Sequence, residues 1–166
     1  GRRRRHGGRL LLTRQPRFPS ARPGAIIPAM NVIANGVDLV DCRRLARAIE
    51  RHGDRFLHRV FTPGELAYCL GRKRHVEHLA GRFAAKEAVL KVLGSGWSGG
   101  IAWTDIEVVP SPAGRPTIKL TGRCRELADA MGLAEIPLSI SHVESHAVAF
   151  AIGLAESRGG ALGIGD

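Results

Sequence analysis

No run of residues in this sequence is long and apolar enough to span a bilayer. The longest uncharged apolar stretch, about Ala147 to Ala155, falls far short of the roughly 18–20 residues a span requires. Cysteine is scarce: Cys42, Cys69 and Cys124 are odd in number, widely spaced and outside any CxxC or Cys/His pattern. That excludes a disulfide framework and a structural zinc site, and it suits a reducing, cytoplasmic setting in which unpaired thiols survive. The sequence has 5 Phe, 2 Trp and 1 Tyr, and they do not interleave with basic residues as single-stranded nucleic-acid binders require. Acidic residues are absent from positions 1–29, which hold eight arginines, so the net charge of +10 belongs mainly to that segment. The remainder carries 17 basic against 15 acidic residues, and nucleic-acid binding loses its compositional support. The expectation is a soluble cytoplasmic protein with neither a membrane nor a nucleic acid as partner.

What is present fits one ordinary domain: 166 residues, 44% hydrophobic and 24% charged. At this size a core forms without a disulfide or metal staple. Residues 1–29 combine the arginines with Pro16, Pro19, Pro23 and Pro28 and only the apolar patch Leu10–Leu12, so they are expected to be disordered. They read either as an organelle-targeting peptide or as a start site placed too early, since Met30 opens the first patterned segment. The folded domain is expected over 30–155, with a flexible Gly-rich tail over 156–166.

From Met30 a β-branched run (Val32, Ile33, Val37, Leu39, Val40) predicts a strand with a bulge or bend at Asn35-Gly36. Residues 41–52 place Leu45, Ala48, Ile49 and His52 at helical spacing, with Arg43, Arg44, Arg47 and Arg51 on the opposite side. Thr62-Pro63-Gly64-Glu65 has the form of a capping box opening a second helix through about Leu70. The Ala/Leu/Glu/Lys-rich segment 74–93, closed by Gly94-Ser95-Gly96, predicts a long helix. Strands follow near 103–109, 116–120, 136–141 and 146–153, with a helix at about 122–131. The order predicts an α+β domain, a mostly antiparallel sheet packed with one long and several short helices.

Three polar spots interrupt apolar patterns. Asp38 lies between Val37 and Leu39, where a buried ionised carboxylate needs a cation, a metal or hydrogen-bond donors. Phe83, Glu87 and Lys91 share one face of the long helix at i, i+4 and i+8, where an ordinary Glu87–Lys91 surface pair is an equally simple reading. Ser139 and Ser141 point to the same side of a strand that ends in His142. Two carboxylates on different elements, a lysine one turn beyond one of them, a Gly-rich turn and a Ser-His strand end are the equipment for a divalent cation holding a diphosphate.

The segments GVDLVD (36–41), FTPGEL (61–66), LAGRFAAKEAVLKVLGSG (79–96), DIEVV (105–109), GRP (114–116) and SISH (139–142) followed by AVAFAI (147–152) resemble the short type of 4′-phosphopantetheinyl transferase, the holo-[acyl-carrier-protein] synthase family, in that family's order and spacing. Val40, two after Asp38, argues against the longer monomeric transferases, which carry a second metal-binding acid there. The resemblance implies a 4′-phosphopantetheinyl transferase-like fold and transfer of 4′-phosphopantetheine from coenzyme A to a serine of acyl carrier protein, for fatty acid biosynthesis. It implies Mg²⁺, with Mn²⁺ possible, held by Asp38 and Glu87, and a serine proton taken by Glu87 or by water. Lys91, Arg82 and His142 would contact coenzyme phosphates, Gly94, Ser95 and Gly96 would lie against the nucleotide, and Arg115-Pro116 would lie near the adenine. Arg43, Arg44, Arg47 and Arg51 would meet the acidic carrier protein. The family further implies a homotrimer with active sites between protomers.

Overall fold

The computed structural model describes residues 30–96 and 99–157, so the segment expected to be disordered and nearly all of the Gly-rich tail lie outside the described residues. The elements run β1 (Met30–Asp41), α1 (Cys42–Val60), α2 (Pro63–Leu70), α3 (His75–Leu93), a 3₁₀ turn (Trp103–Asp105), β2 (Ile106–Pro110), β3 (Pro116–Leu120), α4 (Gly122–Ala130), β4 (Leu133–Glu135), β5 (Leu138–His142) and β6 (His146–Glu156). All strand pairs are antiparallel. β6 is central, with β1 along one side and β4 then β5 along the other, while β2 and β3 form a separate hairpin. The α+β expectation holds. Among the described residues no helix is long and apolar enough to cross a membrane.

α3 lies against β1 and β6, and side-chain size decides how near it comes. Strand alternation sends Ala147, Ala149, Ala151 and Gly153 of β6 toward the helix, together with Gly36 and Asp38 of β1, which pair with Ala151 and Ala149. A Cβ at Gly36 would stand 2.1 Å from the carbonyl oxygen of Ala88, and one at Gly153 would stand 2.9 Å from a Val92 methyl. The large apolar side chains take the other face, where Leu39 is 64% exposed and Phe150 43% exposed.

α3 itself is buried around most of its circumference, including Lys86. The Lys86 ammonium lies 2.8 Å from Glu65 of α2 and donates to the carbonyls of Trp103 and Ile106. Glu65 in turn accepts from the Thr62 and Val108 amides. Each buried charge is thus paired and hydrogen-bonded, the condition under which such a pair is tolerated. The network ties α2 and α3 to the β2–β3 hairpin.

Several boundaries differ from the sequence expectation. The β1 irregularity falls between Val32 and Ala34, whereas Asn35 and Gly36 pair regularly with Ile152 and Ala151. Gly36 is therefore required by the approach of α3 and not by a bend. α1 continues past residue 52 to Val60 across a kink at Gly53 (φ 56°), after which Leu57 and Val60 are again buried. His52 consequently ends the first half of α1 exposed, off the apolar face. Residues 103–105 are 3₁₀, β4 is an added strand, and β6 carries the fold through Glu156, one residue beyond the expected boundary. The capping box at Thr62–Glu65 and the left-handed Gly94 cap (φ 66°) form as expected.

Replacing Gly36 with Ala should lower stability by about 1–3 kcal/mol, because the helix must move off the strand to admit one methyl. Denaturant unfolding of Gly36→Ala against wild type reads this directly, and an unchanged midpoint would mean the approach is easily relaxed.

Candidate functional site

The close contact at Gly36 brings the carboxylate of Asp38, two residues along the same face of β1, to the last two turns of α3. The Lys91 ammonium stands 2.9 Å from Asp38 Oδ1 and donates to the Val37 carbonyl at 2.5 Å. The ion pair at this end of the helix therefore joins Lys91 to Asp38, and not to Glu87. Glu87, one turn earlier, is half-buried, and its carboxyl is pushed above the usual range by burial first and by the negative charge of Asp38 second, with Lys91 opposing. Asp38 and Glu87 line a cavity of about 530 Å³ together with the apolar Leu45, Ala48 and Phe56 of α1 and Phe83 of α3 and with the polar Asp41, Arg44 and His146. The kink at Gly53 allows both halves of α1 to line it.

Burial and the charge of Asp38 both oppose ionisation of Glu87, and the Lys91 ammonium is already engaged by Asp38, which leaves room for more positive charge. A divalent cation bound by one or two carboxylates, with water and substrate oxygens completing its shell, fits this donor set. Among the described residues no group of three or more His, Cys, Asp or Glu side chains forms a metal site, so further ligands would have to come from solvent and substrate.

A second group of the expected residues gathers elsewhere. Arg82 and His142 line a cavity of about 180 Å³ with Gly114, Pro116, Tyr68 and His78. The Arg82 guanidinium lies 3.9 Å over the Tyr68 ring, and its Nε is buried without a hydrogen-bond partner. His142 Nδ1 is 3.6 Å from Glu77 Oε2. Five residues separate Arg82 from Glu87 on α3, which turns them about 140° apart around the helix and about 7.5 Å apart along it. The structure thus brings Asp38, Glu87 and Lys91 together, and Arg82 and His142 together, on different sides of one helix.

Of the remaining expected residues Pro116 joins the second group, whose cavity it lines, and the others join neither closely. Arg115 is exposed and lines, with Pro116, a third cavity of about 430 Å³ between β3 and the β4–β5 edge. Gly94, Ser95 and Gly96 form the loop after α3, where the positive φ of both glycines is by itself sufficient reason for glycine. Arg43, Arg44, Arg47 and Arg51 are all exposed on α1, and Arg44 reaches the rim of the first cavity. Ser139 and Ser141 do share a side, but their register with Phe150 and Val148 places them on the outer face of the sheet. Sequence reasoning missed Tyr68, Glu77 and His78. Tyr68 and Arg72 at i, i+4 were the available signal for a cation–ring pair, and nothing local marked Glu77 as buried.

The sequence profile of the 4′-phosphopantetheinyl transferase superfamily matches residues 34–151. The holo-[acyl-carrier-protein] synthase of Koribacter versatilis is 45% identical over 73% of this chain and 97% of its own length, and that of Moorella thermoacetica is 51% identical over 74% and 92%. Among solved structures, the Chronobacterium ammoniagenes complex of that enzyme with coenzyme A superposes with a TM-score of 0.65 at 35% identity, covering 78% of this chain and 99% of the other. The chain belongs to the 4′-phosphopantetheinyl transferase superfamily and, within it, to the holo-[acyl-carrier-protein] synthase family.

The electrostatics of Glu87 have a measurable signature. A carboxyl that holds its proton more tightly in the folded than in the unfolded chain makes stability fall as pH rises above its ordinary value of 4.5. Without divalent cations, Glu87→Gln should match wild type at acidic pH and become the more stable protein as pH rises toward neutrality. Parallel stability–pH curves for the two proteins would show that Glu87 is not strained by Asp38.

Proposed function

We propose that this protein transfers 4′-phosphopantetheine from coenzyme A to a serine hydroxyl of an acyl carrier protein, releasing adenosine 3′,5′-bisphosphate, in the cytoplasm and in support of fatty acid biosynthesis. The observation that carries this reading is the meeting of Asp38, Glu87 and Lys91 at the mouth of a cleft, in a chain whose relatives perform this chemistry by name. Asp38 and Glu87 would hold Mg²⁺, or Mn²⁺, both of which accept oxygen ligands. When bound, the cation neutralises charge that develops on the diphosphate as the bond to the nucleotide breaks. Glu87, whose proton affinity burial and Asp38 raise, is suited to accept the serine proton. Lys91, half-exposed on a flexible stem, can exchange Asp38 for a phosphate oxygen.

The Arg82 guanidinium and the His142 ring supply hydrogen-bond donors for the other coenzyme phosphates, with the Gly94–Gly96 loop and Arg115-Pro116 toward the nucleoside. Because these groups and the acidic pair lie on different sides of α3, one protomer does not present both to one ligand. The outer sheet face, where Val37, Leu39 and Phe150 are exposed while alanines fill the inside, gives a reason for copies to associate. Both observations support a homotrimer with active sites between protomers. The exposed arginines of α1, with Arg44 at the cavity rim, would steer an acidic carrier to the acidic pair's cleft, acting on encounter and orientation more than on final affinity. Three free cysteines, all buried, accord with a reducing cytoplasm.

Mass spectrometry of an apo-acyl carrier protein incubated with this protein, coenzyme A and Mg²⁺ should show the gain of one phosphopantetheine. Asp38→Ala and Glu87→Ala should each abolish that gain while retaining the fold, and near wild-type turnover of either at saturating Mg²⁺ would remove that residue as a ligand.

Sedimentation of the wild-type protein should give a trimer. Phe150→Glu, which plants a charge in the exposed apolar face, should give a folded monomer with little activity. A fully active wild-type monomer would refute the shared site.

A further inference from the structure

Glu77 opens α3 as a buried acid: the residue is 8% exposed, and its Oε2 is sealed from solvent without a hydrogen-bond partner. Such an atom is expensive to keep unless it serves a partner. Its neighbours are few. His142 Nδ1 is 3.6 Å away and Arg74 Nη1 3.7 Å away, but Arg74 is mostly exposed and free to leave. From α1, the Cys42 thiol is pushed up by burial and then by the Glu77 charge, so that charge acts inward as well.

Around the cavity the groups form a chain. The His142 ring meets the His78 ring edge-on at 5.1 Å, His78 meets Tyr68 at 6.2 Å, and Tyr68 is held by the guanidiniums of Arg72 at 4.0 Å and Arg82 at 3.9 Å. Burial first, and then the positive charges of His142, Arg72 and Arg82, pull the His78 imidazole below its ordinary range, with Glu77 opposing. The β2–β3 side of the cavity presents Val108, Val109, Pro110, Gly114 and Pro116, none of which carries charge. Among the described residues Glu77 is the one acid within ion-pair distance of His142.

We propose that Glu77 is a positioning residue for phosphate recognition: by accepting the Nδ1 proton of His142 it orients the ring so that Nε2–H faces the cavity beside Arg82 and favours the imidazolium that a phosphate dianion requires. The inference rests on the reading of His142 and Arg82 as coenzyme A phosphate contacts. A carboxylate partner on one imidazole nitrogen fixes what the other nitrogen presents. The 3.6 Å separation lies just outside hydrogen-bond length, as in polar pairs that tighten only when ligand fills the site. The buried Arg82 Nε without a partner, on the same wall, marks a second place where an anion would complete the hydrogen bonding.

The test uses the full chain with adenosine 3′,5′-bisphosphate as the binding probe and coenzyme A as the varied substrate. In wild type, probe affinity should fall as pH rises through the His142 titration followed by NMR of the ring. Glu77→Gln should move that titration about one unit lower, equivalent to about tenfold, and weaken the probe about tenfold near neutrality, with affinity returning at acidic pH. The kinetic loss should fall on KM for coenzyme A and not on kcat. His142→Gln should be weak and nearly pH-independent, and the double variant no weaker than His142→Gln alone. An unchanged His142 titration in Glu77→Gln, or losses that add in the double variant, would overturn the proposal. A fall in kcat and melting temperature at every pH would mean that Glu77 is merely structural. Failure of the wild-type protein to bind the probe at all would instead sink the coenzyme A reading on which the proposal stands.

Discussion

The distance between α3 and the sheet is the constraint on which the rest of this molecule depends. A carbonyl of the helix occupies the space where a side chain at Gly36 would be, and the inner face of β6 is reduced to alanine and glycine over its length. Packing this close leaves dispersion contacts instead of interdigitating side chains, and it is unforgiving of added volume. Its consequence is chemical as well as mechanical. Asp38 follows Gly36 on the same face, so the helix that touches the glycine must also present Lys91 and Glu87 to the carboxylate.

Neighbouring residues on that helix meet opposite electrostatic fates. Lys86 points into the interior, where Glu65 and two carbonyls satisfy it completely and an amide network fixes Glu65 in turn. Glu87 points to a cleft where a second carboxylate stands nearby and holds Lys91 to itself. The first arrangement is closed and structural, because each charge is already compensated. The second is open, and its uncompensated negative charge gives the cleft a use for a cation and a proton. The Arg82–His142 cavity shows the inverse arrangement, a guanidinium and no acid among its lining residues, which suits the phosphate contacts proposed for it.

How much of this was legible depended on the range of the interactions. The long helix, the capping box at Thr62 and the paired strands followed from period and local chemistry, and Phe83, Glu87 and Lys91 were placed on one face by spacing alone. The segments from GVDLVD to SISH carried the family. The sequence could also place Val37 and Leu39 opposite Asp38, but the usual rule would bury the apolar pair. The structure turns them outward, because only small residues fit beneath a helix lying this near.

Sequence order alone thus determined most of the elements and the placing of Glu87 and Lys91 on one helix face, since these rest on contacts within a few residues, and its motifs carried the class of chemistry. Tertiary packing decided which partner each charge took. Lys91 chose Asp38 over Glu87, Lys86 chose Glu65, and Glu77 came to stand beside His142. Each of the partners chosen lies more than twenty residues away along the chain, and only the close approach of α3 to its neighbours fixes such distances.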